Sequence, residues 1–181
     1  MRKEMFMFGL SIFVSTHLFS QSSDCDRVKM ANLAQTVNVL QSLILTNKEH
    51  VLLTPTYYVF DLYKVHQDAK LIPIQFNSPD YVNGSDKIPA LSVSASKDST
   101  GAVHVSLVNI DANKSLSIQT SIDGTWKSVT GRILTSDKIN DYNSFDNSKK
   151  VIIKPFNGAR LQGNNLSIEL PAKSVVVLEL K

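Results

Sequence analysis

Several things are scarce in this chain, and each scarcity excludes something. There is one cysteine, Cys25, so an internal disulfide framework is ruled out. Cys25 lies between Asp24 and Asp26, but no histidine or second cysteine stands at a recognisable ligand spacing from it. It reads as a free thiol or a packing residue, and no metal site or cofactor motif is expected. The four histidines (His17, His50, His66 and His104) are scattered without a pattern. The net charge is +3, from 19 basic and 16 acidic residues, with no dense Lys/Arg cluster, which argues against a nucleic-acid partner. The pair Lys149–Lys150 suits a solvated loop. No repeat period is visible. The apolar run Met5–Val14 is too short to span a bilayer as a helix, so no membrane partner is expected.

What is present is globular: 43% apolar and 19% charged residues over 181 positions, enough for one domain or one domain plus part of another. Residues 1–23 form a leader. Arg2 and Lys3 precede the apolar run and small polar residues follow it, the order of a secretory signal. Glu4 and the lack of a clean cleavage site fit the remains of an amphipathic helix equally well. The first reading places the protein outside the cytoplasm, the second inside it.

The stretch Asp26–Ala69 is the densest apolar part of the chain. Val28, Met30 and Asn32 alternate as in a strand, while Met30, Leu33, Ala34, Val37, Leu40 and Ile44 fit a helical face. A strand running into a short helix satisfies both. Asn47–Glu49 is a polar turn, and Val51–Leu53 is β-like. Pro55 suits the first turn of a helix, which Tyr57, Phe60, Leu62, Tyr63, Val65 and His66 continue to about Asp68. Asp61 and Asp68 are expected on its exposed surface. Residues 70–89, punctuated by Pro73, Pro79, Asn83–Gly84 and Pro89, read as a connection.

The remainder reads as short strands: Ala90–Ser96, Ala102–Asn109, Lys114–Ser121, Ser128–Thr135, Leu166–Leu170 and Ser174–Leu180. Between the fourth and fifth lie a polar surface loop, Asp137–Lys150, and a short apolar run, Val151–Ile153. Asp146–Asn147 in that loop reads as a turn pair rather than a calcium or sugar site. Such strand spacing predicts a β-sandwich or jelly roll. The continuous apolar run Val175–Leu178 predicts a strand buried on both faces.

Several motifs occur in order along the chain. They are Asp26–Gln35, Val37–Gln41, Leu53–Tyr57 and Val59–Lys64, then Ser106–Asn109, Gly131–Thr135, Asn143–Asn147 and Leu170–Leu180. Together they resemble the α-L-arabinofuranosidases of glycoside hydrolase family 51 over residues 24–181. The resemblance implies a mainly β fold: a C-terminal β-sandwich over residues 87–181, preceded over residues 24–86 by the last strand and helix of a (β/α)8 barrel. Arg27–Leu33 would be that strand and Tyr57–His66 that helix. Gln35 would then lie just past the C-terminal end of the strand, on the face where such barrels build active sites. The resemblance implies that Gln35 contacts arabinose in an intact enzyme. It also implies an arabinose-containing polysaccharide or oligosaccharide as partner and leaves a homo-oligomer open.

Retaining glycosidases need two carboxyl groups roughly 5 Å apart. The four glutamates here are Glu4, Glu49, Glu169 and Glu179. None has the surroundings of the family's catalytic pair, so both catalytic residues are expected upstream of Met1. The chain alone is expected to be inactive, with no catalytic residue of its own. The competing expectation is a secreted, non-catalytic sandwich that binds carbohydrate or a partner subunit. Trp126, Tyr142 and Phe145 are the aromatics such a module could use. Finally, Asp26–Ala69 cannot bury both faces of a strand and helix alone. It is expected to pack on the sandwich through Leu and Val side chains, or to expose an apolar patch.

Overall fold

The computed structural model describes residues 36–181. The leader, Cys25, the Arg27–Leu33 strand and Gln35 lie outside the described residues. The first described segment corrects one expectation. The helical face through Val37, Leu40 and Ile44 does not form, because Asn38 and Gln41 have φ of 54° and 59°. Left-handed backbone at two nearby positions breaks a right-handed helix. The Asn38 side chain holds the loop instead. Its amide nitrogen donates to Thr46 Oγ1 and its carbonyl accepts from the Thr46 N–H, both at 2.7 Å. Val37 makes a parallel bridge to Ile44. The strands Ile44–Asn47 (β1) and His50–Leu53 (β2) then pair as a hairpin through the expected polar turn, with Lys48 at φ 53°.

The helix forms where Pro55 allows it, since a proline in the first turn gives up no helical hydrogen bond. It spans Pro55–Tyr63 (α1) and tightens into a 3-10 turn, Lys64–His66. Thr54 precedes it, but its hydroxyl does not cap the helix. It donates to the carbonyls of Ser42 and Leu43 at 2.8 and 3.1 Å, tying the helix start to the preceding loop.

Residues 70–89 are more than a connection. Lys70–Ile72 (β3) pairs with the first long strand of the sandwich, and Asp80–Asn83 (β4) and Asp86–Pro89 (β5) form a hairpin around Gly84. Three residues are too few to show a period, so only the free edge they join reveals β3 as a strand.

The remaining strands are Leu91–Lys97 (β6), Val103–Asn109 (β7), Leu116–Ser121 (β8), Val129–Leu134 (β9), Lys154–Pro155 (β10), Ala159–Gln162 (β11), Asn165–Leu170 (β12) and Ser174–Leu180 (β13). They build a six-stranded sheet in the order β10-β9-β13-β7-β6-β3 and a three-stranded sheet in the order β11-β12-β8. The molecule is therefore the expected sandwich. Inward-facing residues alternate along each strand. Leu91, Val93, Val103, Val105, Leu107, Val176, Leu178 and Leu180 of the larger sheet meet Leu166, Ile168 and Leu170 of the smaller. β7 and β13 are central in the larger sheet, and Val177 on the other face of β13 is buried as well, as its apolar run predicts.

Gly158 shows how tightly the sheets close. A Cβ there would lie 2.6 Å from Phe156 Cζ and 2.8 Å from the Glu169 carbonyl oxygen. The Glu169 N–H already donates to the Gly158 carbonyl at 2.8 Å, so that backbone cannot retreat. Gly158→Ala is expected to cost about 1–3 kcal/mol through overpacking. Thermal unfolding checks this. A melting temperature equal to that of the parent would show that the contact relaxes freely.

Candidate functional site

The outer face of the six-stranded sheet is where the helical segment meets the sandwich. Leu62 of α1 is fully buried against Leu134, Val151 and Val177, with Tyr58, Val59, Tyr63, Val65, Ile153 and Val175 around them. This cluster is separate from the core between the sheets. The expected packing of the helical segment through Leu and Val thus occurs. Some apolar side chains of the segment stay exposed, Leu40 at 93% and Phe60, on the far side of α1, at about half.

Polar groups frame this seam. Asp61, expected on an exposed helix surface, turns to the sheet. Its carboxylate lies 3.3 Å from Arg132 Nη1 on β9 and 2.5 Å from Lys64 Nζ. Both pairs are partly solvated, so each contributes about 0–1 kcal/mol and sets orientation more than stability. Asn143 comes from the long loop but is buried. Its Nδ2 donates to the Leu53 and Val151 carbonyls at 3.0 and 2.9 Å, and its Oδ1 accepts from the Val151 N–H at 2.7 Å. The loop is thereby fastened to both β2 and the seam. Asp146 lies in a turn closed by reciprocal backbone bonds between Ser144 and Asn147.

At the end of the helical segment, two of the histidines that look scattered in sequence come together. The rings of His66 and His104 have centroids 6.5 Å apart. His66 inserts between two serines on adjacent strands: Nδ1 lies 2.7 Å from Ser96 Oγ on β6, and Nε2 lies 2.5 Å from Ser106 Oγ on β7. Ser94 and Ser106 pair across the ladder, as do Ser96 and His104, so the alternation of β6 and β7 presents this polar set on one face. Burial, with His104 adding to it, pushes His66 down to about 4. Burial pushes the phenol of Tyr63, 5.7 Å from His66 by ring centroid, up to about 12. His104 Nε2 lies 3.0 Å from Asp98 Oδ2, while its Nδ1 has no partner. Hydrogen bonds from the Thr100 side chain, from His104 and from the Thr100 and Ala102 N–H groups hold the Asp98 carboxyl well below the usual range.

A serine, a histidine and an aspartate in one cluster invite comparison with a nucleophilic triad, but the connections are wrong for one. The carboxylate bonds His104, whereas the serines bond His66. Ser96 and Ser106 are buried in the sheet face beneath the helical segment. The arrangement fastens the segment to the sheet and leaves no nucleophile open to a substrate. Among the described residues no three His, Cys, Asp or Glu side chains converge as a metal site. The glutamates among the described residues are dispersed: Glu49 in the β1–β2 turn beside His50, Glu169 on β12 accepting from the Ser117 hydroxyl at 2.6 Å, and Glu179 on β13 paired with Lys181.

A family model for the α-L-arabinofuranosidase C-terminal domain matches residues 7–174, most of the chain. The chain belongs to that family. It is 46% identical to an intracellular exo-α-L-arabinofuranosidase of Bacteroides ovatus over 158 residues, which is 86% of this chain and 31% of the relative. It superposes on the family 51 arabinofuranosidase of Xanthomonas axonopodis pv. citri with a TM-score of 0.85 at 43% identity, covering 88% of this chain and 33% of that one. An α-L-arabinofuranosidase of Thermotoga maritima, solved with arabinose, gives 0.75 at 26% identity, covering 87% and 35%. The chain therefore spans about a third of the length of the relatives it matches and corresponds to their C-terminal β-sandwich region.

Sequence reasoning missed the His66–Ser96–Ser106 clasp and the burial of Asn143. Serines at every second position of β6 and at Ser106 were the available signal: a strand face rich in small hydroxyls suits a polar side chain laid across it.

Proposed function

We propose that the chain is the C-terminal portion of an α-L-arabinofuranosidase that releases terminal α-L-arabinofuranosyl residues from arabinose-containing polysaccharides or oligosaccharides. The catalytic carboxyl groups would come from the part of the family's length that the chain does not span. The observation that carries this reading is the seam. The outer face of the sandwich is shaped to hold α1, and α1 would be the last helix of the catalytic barrel. The sandwich then acts as a platform that positions the end of the barrel, including Gln35 at the arabinose subsite. The purified chain is expected to show no turnover of an aryl α-L-arabinofuranoside. Mixing it with the N-terminal portion of a family 51 enzyme, refolded together, is expected to restore turnover that falls on Gln35→Ala. Turnover by the chain alone that survives both repurification and Gln35→Ala would overturn the reading.

One observation favours a second reading, a non-catalytic module that binds carbohydrate or a partner subunit. In the long loop Tyr142 is 70% exposed, and Ile139 and Phe145 lie beside it in sequence and are exposed too. Aromatic faces of this kind can stack on sugars. Retention of the chain on immobilised arabinan or arabinoxylan, lost in Tyr142→Ala, would support this second role. If residues 1–21 are a secretory signal the protein is extracellular or periplasmic, and otherwise cytoplasmic; N-terminal sequencing of the mature protein shows whether they are removed.

A further inference from the structure

We propose that His66 is a pH-sensitive clasp: as neutral imidazole it bridges Ser96 and Ser106 and holds α1 on the sheet, and its protonation releases α1 while the sandwich stays folded. Neutral imidazole offers one N–H donor and one bare acceptor nitrogen, and a serine hydroxyl can meet either. Both nitrogens are thereby satisfied at 2.7 and 2.5 Å without any charge. Protonation keeps the ring within reach of both hydroxyls but places a cation in a covered seam that has no carboxylate against it.

The groups around the ring do not compensate for that charge. From its own segment come the Tyr63 ring and Lys64, whose ammonium is engaged by Asp61. From β6 comes Ser96, whose partner on β3 is Leu71. From β7 come Ser106 and His104. Asp98 is reached only through His104, and Glu179, the β13 residue paired with His104, is engaged by Lys181.

Protonation acts on the helical segment because the two apolar clusters are independent. The core between the sheets contains no residue of α1, whereas the seam depends on Leu62 and its neighbours. Release of the helix leaves the inter-sheet core intact. The pH windows also separate. The folded state holds His66 at about 4, below its ordinary 6.5, so its contribution is complete above pH 6.5 and is lost as pH falls toward 4. Asp98, Asp111 and Asp141 are held below their ordinary 3.8 by hydrogen bonds, so the stability they add is present above that value and is lost only at lower pH.

Amide hydrogen exchange on the full chain, corrected for the intrinsic pH dependence, tests the proposal. Between pH 7.5 and pH 5 the opening equilibrium of peptides from 55–66 is expected to rise roughly 30-fold, while peptides from 103–109 and 174–180 change less than twofold. His66→Gln keeps a donor and an acceptor but does not titrate, and is expected to abolish the pH dependence of the helix peptides. Should that variant lose the helix at every pH, an NMR titration of His66 in the parent decides. A midpoint below 6 supports the clasp, and a midpoint at 6 or above overturns it. The proposal also falls if the helix peptides keep full protection at pH 5, or if helix and sheet peptides lose protection together.

Discussion

Leu62→Ala is expected to destabilise the attachment of α1 by about 2–5 kcal/mol, the range for removing a fully buried leucine from a packed site. Leu62 is the one residue of α1 that is completely buried, and its contacts Leu134, Val151 and Val177 come from three separate segments of the sandwich region. Truncation leaves a cavity that these strand and loop residues cannot collapse into without moving the sheet. The loss falls on the seam, because the core between the sheets does not include this residue. Exchange protection of residues 55–66 is expected to drop by at least tenfold, with residues 103–109 little changed. Uniform loss of protection across the chain would show instead that the helix and the sandwich unfold as one unit. In an enzyme reconstituted with the remainder of the family's length, the same substitution is expected to weaken assembly.

Asn143→Ala is expected to cost about 2–4 kcal/mol. The side chain satisfies three backbone groups, the buried carbonyl and N–H of Val151 and the partly buried carbonyl of Leu53, and alanine satisfies none of them. Leaving buried polar groups unpaired is more damaging than losing an exposed hydrogen bond, because water that could replace the partner is excluded. Asn143→Asp separates the two sides of the clamp. It keeps size and acceptor but loses the donors, so at pH 7 it sets a carboxylate against two carbonyls. It is expected to be at least as destabilising as alanine. Chemical denaturation monitored by circular dichroism provides the measurement, and a midpoint within error of the parent for both variants would remove Asn143 from any structural role.

The contrast between Asn143 and Asp146 shows where sequence reading stops. Both belong to a loop rich in Asn and Asp, and composition alone makes each a turn residue. Asp146 is one. Asn143 is buried, because the carbonyl it bonds on Leu53 lies 90 residues earlier in the chain. No local pattern encodes a partner at that distance. His66 and His104 carry the same lesson. They lie far apart in sequence and show no motif spacing, but antiparallel pairing of β6 and β7 brings Ser96 beside His104, and the helix end then lays His66 across them. The helix expected through Val37–Ile44 fails for a different reason. Apolar spacing supports it, whereas the side chain of Asn38, by bonding Thr46, stabilises a backbone that a helix cannot contain.

What the sequence by itself determined is the set of features that depend on neighbouring residues: the alternating strands, the turns between them, the helix after Pro55 and the doubly buried last strand. The motifs in order along the chain likewise sufficed for the family. The tertiary structure alone decided which face of the sandwich carries the helix, that Lys70–Ile72 completes a sheet edge, and that His66, Asp61 and Asn143 form the seam. Those outcomes depend on backbone groups and side chains far apart in sequence, which meet only once both sheets have closed on their core.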